Sequence, residues 1–154
     1  MNFDIKFDFQ RRDRLGLIEA IWGQDKSIDQ LERLCGNVLS KNEVVFITRI
    51  NSEKANYLLD LYDDARFYEE ANCLTIGKNF NKIITNKKVA IISGGSSDLA
   101  VTLEAQLALE IYGVNCQSFI DVGVAGLHRL MSQLEEINKY DVLIVCAGME
   151  GALA

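Results

Sequence analysis

The sequence predicts an α/β protein, a small N-terminal α/β domain followed by the first half of a parallel three-layer sheet of the flavodoxin-like kind. Three observations predict it. Runs such as Val44-Val45-Phe46-Ile47-Thr48 and Val89-Ala90-Ile91-Ile92 are β-branched and apolar throughout, as in buried strands. Segments with apolar residues at helical spacing lie between those runs. From residue 89 onward the order is strand, helix, strand, helix, strand, which implies right-handed crossovers between parallel strands.

Composition narrows the class. The chain has 154 residues, 49% of them hydrophobic, enough for one domain or two small ones. With 16 Lys+Arg against 22 Asp+Glu the formal charge is −6, which argues against binding nucleic acid by phosphate neutralisation. No apolar run reaches the roughly 18 to 20 residues that cross a bilayer. The start, Met1-Asn2-Phe3-Asp4-Ile5-Lys6, lacks a secretory pattern. Cys35, Cys73, Cys116 and Cys146 form neither a CxxC nor a zinc spacing, so inert thiols in a reducing compartment are expected. A soluble, cytoplasmic protein without nucleic-acid or membrane partners is the expectation.

Phe3, Ile5, Phe7 and Phe9 alternate with polar residues, the period of a half-buried strand. Residues 17–22 suggest a second short strand ended by Gly23. Ser27 with Gln30 reads as a capping box before a helix over 27–40, whose inner stripe is Ile28, Leu31, Leu34, Val38 and Leu39. Residues 44–48 follow as a strand. Ser52 is read as the cap of a helix to about residue 62, with Leu58, Leu59 and Tyr62 inward. Short strands near 65–69 and 73–77 complete a first domain over residues 1–77.

Residues 78–88, rich in Lys and Asn, read as a solvated linker, and residues 89–154 as the second domain. Its elements are a strand from Val89, a helix from Leu99 closed by Gly113, a strand over 114–120, a helix over 127–138 and a strand over 141–146.

Each of the three parallel strands ends in a glycine-containing loop: Ser93–Asp98, Asp121–Gly126 and Ala147–Gly151. Ligands of open parallel sheets bind at strand carboxyl ends, so the loops should converge on one site. In the first, Gly94 and Gly95 permit a tight turn, and Ser96, Ser97 and Asp98 sit at a helix N-terminus suited to a phosphate or carboxylate. An ordinary N-cap without ligand is the plain alternative. Neither GxGxxG nor GxxxxGK[ST] is present, so a Rossmann dehydrogenase or P-loop enzyme has no support. His128, the single histidine, lies early in a helix, where a packed or solvent-facing role competes with catalysis. Glu150, flanked by glycine loops, has access to a ligand, with a solvated surface residue as the alternative.

Three runs carry a family resemblance: Ser93-Gly-Gly-Ser-Ser-Asp98, Asp121-Val-Gly-Val-Ala-Gly-Leu-His-Arg-Leu130 and Ala147-Gly-Met-Glu-Gly-Ala-Leu153. They resemble LarB, the pyridinium-3,5-biscarboxylic acid mononucleotide synthase of nickel-pincer cofactor biosynthesis. Its C-terminal part is related to PurE, the phosphoribosylaminoimidazole carboxylase/mutase. Asp8, Arg11, Arg14, Gly16, Glu19, Gly23 with Lys26, and Thr48-Arg49 follow the family's N-terminal pattern in order. Ile18, Ala100 and Ala154 stand where the family has Pro, in keeping with a chain that contains none.

The resemblance implies a reaction. Nicotinic acid adenine dinucleotide would be carboxylated by CO2 at the pyridinium C5 and cleaved at its phosphoanhydride. An electron-poor ring attacks CO2 only after a nucleophile adds to it, and in the family that nucleophile is a cysteine thiolate. By position, Asp98, Glu150 and His128 would be catalytic. Gly94, Gly95, Ser96, Ser97, Gly123, Gly126, Arg129 and Gly148 would hold the substrate. No metal ligands and no cofactor are identified, magnesium being admissible with a nucleotide substrate, and a homo-oligomer is implied. The family continues past the AGMEGAL motif into the segment holding the catalytic cysteine. A truncated form that self-associates and releases no AMP is therefore expected. The alternatives are a phosphoribosylaminoimidazole carboxylase/mutase and a non-catalytic nucleotide-binding or assembly module.

Overall fold

The computed structural model describes residues 7–78 and 85–154. The chain separates into two compact units that divide between Phe80 and Asn81.

The first unit runs α1 (Arg11–Leu15), β1 (Ile21–Trp22), α2 (Ile28–Leu39), β2 (Val45–Thr48), α3 (Ser52–Leu61), β3 (Ala65–Tyr68) and β4 (Cys73–Ile76). Its sheet has the order β1-β2-β4-β3. The β1–β2 pair is parallel, and β4 is antiparallel to both β2 and β3. Register places Ile21, Ile47 and Leu74 side by side, with Val45 and Ile76 on the same face. Leu31, Leu34, Cys35 and Val38 of α2 and Ala55 and Leu58 of α3 pack there as one core. Periodicity thus becomes burial: a helix with apolar residues on one stripe must place that stripe against a sheet.

Helix α2 begins as expected. The Ser27 hydroxyl accepts from the Gln30 N–H at 3.2 Å, and the Gln30 side chain accepts from the Ser27 N–H at 2.9 Å. Ser27→Ala should cost about 1 kcal/mol, read as a lower urea midpoint; an unchanged midpoint would mean that the box contributes nothing. At α3 the cap is Asn51 rather than Ser52, since the Asn51 side chain accepts from the Lys54 N–H at 3.0 Å. Ser52 is the first helical residue instead.

The N-terminal strand expectation fails within the described residues. Residues 3–6 lie outside them, and Phe7–Phe9 are not a strand. The Asp8 N–H, which a ladder would need, donates to the Glu19 carboxylate at 2.6 Å. Its own carboxylate accepts from Arg14, which holds it below the usual carboxylate range. Phe7 packs against the core with its ring 5.0 Å from that of Phe9. The second strand shrinks to two residues, because only Ile21 and Trp22 pair with β2.

The second unit runs β5 (Lys88–Ser93), α4 (Leu99–Ile111), β6 (Asn115–Phe119), α5 (Leu127–Ile137) and β7 (Val142–Cys146). All pairs are parallel and the order is β6-β5-β7. Lys88 opens β5 rather than ending a linker: its N–H donates to the Asp141 carboxylate at 2.9 Å. The sheet is covered on both faces. Ser118 donates its hydroxyl to the Gln106 side chain of α4 at 2.7 Å. On the other face Ile137 of α5 packs with Ala90, Ile92 and Phe119. The chain steps from β5 to one side and then back past it, so crossovers of one hand put successive helices on opposite faces. Gly113, at φ 72°, lets the chain leave α4 and turn into β6.

Candidate functional site

Because β5, β6 and β7 are parallel, their carboxyl ends lie at one edge and the three loops meet there. Ser93 joins the first two. It is fully buried; its carbonyl accepts from the Val122 N–H and its hydroxyl oxygen from the Asp121 N–H, both at 3.0 Å. The Gly94 N–H donates to the Cys146 carbonyl at 2.9 Å, which carries the β5–β7 ladder into the loops. Gly123 lies so close to the Gly94 carbonyl that a Cβ has no room.

Asp98 joins the first loop to the third. Its carboxylate accepts from the Gly95 N–H at 3.0 Å and from the Gly148 N–H at 3.3 Å. Its backbone occupies the N-cap position of α4, yet the side chain makes no cap bond within that helix. The bond from Gly95 is itself a capping contact, closing the Ser96–Asp98 turn that leads into α4, and the bond from Gly148 is additional to it. The amides of Gly95 and Gly148 thus face the protein's own carboxylate. Asp98 sits between the ends of β5 and β7, at the point where the crossovers diverge and doubly wound sheets form their crevice.

The other expected residues divide into groups. Gly94, Gly95, Gly123 and Gly148 are drawn into this network, and Ser96 and Ser97 are exposed beside it. Arg129 of α5 reaches back to pair with the Asp121 carboxylate, its guanidinium lying over Gly126. His128 is exposed in the first turn of α5. Glu150 is exposed as well, in a left-handed conformation at φ 42°. Sequence reasoning gives no role to Asp121 or Ser93, which prove to hold the second loop. No local sequence signal marks either; Asp121 stands out only in the structure, at φ 59° and paired with Arg129.

The thiols are poor nucleophiles here. Cys35 and Cys73 are fully buried, and Cys146 nearly so. Burial pushes the Cys35 thiol up to about 12. Cys116 is half-buried on β6 with its Sγ 3.9 Å from the Gln106 carbonyl, and burial followed by the Glu110 charge raises it as well. A raised pKa keeps the thiol protonated, and the thiolate is the reactive form. Among the described residues no group of three or more His, Cys, Asp or Glu is placed to hold a metal, and no helix is long and apolar enough to cross a membrane.

Fold and loops together define a two-unit α/β protein whose second unit is doubly wound, with its glycine loops at the strand carboxyl ends. Over residues 3–78 the chain matches the LarB/PurE-like N-terminal domain family, and it resembles LarB. It is also 35% identical to an uncharacterized protein of Methanocaldococcus jannaschii, over 97% of this chain and 61% of that relative. The chain thus spans about three fifths of that relative's length.

Proposed function

We propose that this chain carries the substrate loops of a LarB-type carboxylating synthase, acting on nicotinic acid adenine dinucleotide and CO2. The observation that carries the reading is Asp98, a carboxylate held by two loop amides at the strand crossover point. A carboxylate has about four lone-pair sites, so two amides leave it able to face a cationic pyridinium ring or accept a proton. Glycines at 94, 95, 123 and 148 let a flat ring approach the backbone. In the reaction a thiolate adds to the ring, the ring C5 forms a bond to CO2, and its proton passes to a carboxylate such as Asp98 or Glu150. Expulsion of the thiolate restores the aromatic ring, and water cleaves the phosphoanhydride to leave AMP. The burial of Cys35, Cys73 and Cys146 and the raised pKa of Cys116 support a thiolate from outside these four. Exposure of Val142 and Leu143 on edge strand β7 supports a homo-oligomer.

Calorimetric titration tests the reading. Nicotinic acid adenine dinucleotide should bind more tightly than aminoimidazole ribonucleotide, and Asp98→Ala should weaken it about tenfold, the effect of losing a charged hydrogen-bonding group. A preference for the imidazole ligand, or an unchanged affinity in the Asp98 variant, would sink it.

A further inference from the structure

The first unit holds an arrangement to which the carboxylation reading above assigns no role. β1 and β2 are its parallel pair, and their carboxyl ends lead through two loops into α2 and α3. Trp22 ends β1 and is 44% exposed. Arg49, just after β2, lays its guanidinium over the indole, with the central carbon 4.7 Å from the ring centroid. Trp22 is held from its far end, where the indole N–H donates to the Asp25 carboxylate at 3.0 Å. Arg49 is exposed and adopts φ 52°, a conformation that costs a non-glycine residue energy. Its neighbours Thr48 and Ile50 are both buried, so the strained backbone is what turns this side chain onto the ring.

The two loops are stiffened around that stack. The Gly23 N–H donates to the Thr48 carbonyl at 2.8 Å. The Lys54 ammonium donates to the carbonyls of Gly23 at 3.0 Å and Gln24 at 2.7 Å. Among the described residues no carboxylate forms an ion pair with Arg49, whereas Arg12, Arg14 and Arg129 each have one. The result is a fixed aromatic plate with a planar cation on it, and Lys26 in the loop that follows Trp22, on a chain that is acidic as a whole. Guanidinium planes and indole faces both stack on nucleobases, and a cation from each of the two loops that follow the parallel pair suits a phosphate.

We propose that the Trp22–Arg49 stack is a binding site for a nucleotide: the base stacks on the guanidinium–indole pair and the phosphate meets Arg49 and Lys26. The site lies in the first unit alone and does not depend on the carboxylation reading. Trp22 is the chain's single tryptophan, so its fluorescence reports on this site directly. Adenosine monophosphate added to the whole chain should change that fluorescence saturably, whereas ribose 5-phosphate, lacking a base, should leave it unchanged. Arg49→Gly removes the guanidinium and suits the left-handed backbone, so folding is not put at risk. It should weaken the adenosine monophosphate response about tenfold. Arg49→Lys, which keeps charge but not the plane, should recover only part of the loss. No saturable response, an equal response to ribose 5-phosphate, or full affinity in Arg49→Gly would each overturn the proposal. Asp98 is intact in these variants, so the Asp98 titration stays an independent test of the carboxylation reading.

Discussion

Replacing Gly123 with Ala should destabilise the second unit by roughly 3 kcal/mol, the sum of overpacking strain and strained loop hydrogen bonds. The new Cβ would collide with the carbonyl oxygen of Gly94, a backbone atom with nowhere to retreat. Gly94 is pinned by its N–H to the Cys146 carbonyl, and the segment before Gly123 by the Val122 and Asp121 amides on Ser93. Relief of the clash must stretch one of those bonds, all of which lie within the loop network that positions Asp98. Ligand affinity should therefore fall together with stability. The comparison variant is Gly151→Ala, at φ 64° with open space around the position, which should cost about 1 kcal/mol. Hydrogen exchange at β5 and β6 amides distinguishes the two. Equal, small effects would mean that the Gly123–Gly94 approach is not a constraint.

Leu31→Ala should cost the first unit about 3 kcal/mol, the usual effect of an unfilled cavity in a well-packed core. Leu31 is completely buried among Leu34, Val38, Ile47 and Leu58, and a helix and sheet joined by this core cannot collapse inward to fill the space. Leu31→Met nearly conserves volume and should cost less than about 1.5 kcal/mol. Urea unfolding followed by Trp22 fluorescence reads both variants within the unit that is altered. A midpoint for Leu31→Ala matching the unaltered chain would contradict the packing of α2.

Much of the architecture was legible in the residues. The runs at 44–47 and 89–92 are continuously apolar, and burial on both faces accounts for them. The stripe at 31, 34 and 38 and the Ser27–Gln30 box placed α2 almost to the residue. Failures came where local pattern met a stronger competitor. The alternation around Phe7 suggests a strand, but the Asp8 amide found the Glu19 carboxylate instead. Ser52 is a good cap by type, and Asn51 won because it stands one residue earlier with an amide oxygen in reach of Lys54.

The candidate site was legible as three loops, but not as a network. Glycine-rich runs after each parallel strand identify where a ligand can approach, because strand order and parallelism dictate a common edge. Nothing in the local sequence shows that Asp98 turns away from its own helix toward Gly148, fifty positions later, or that Ser93 carries the amides of Asp121 and Val122. Likewise, the spacing of Trp22 and Arg49 does not announce a stack, which exists only because β1 and β2 lie side by side. By itself the sequence determined the element types, their order and the glycine loops that follow the parallel strands, since periodicity, capping and glycine content act over a few residues. Only the tertiary structure decided which carboxylate, amide and guanidinium meet, because hydrogen bonds and stacks are satisfied by whatever the folded chain brings within about 3 to 5 Å, however far apart in sequence.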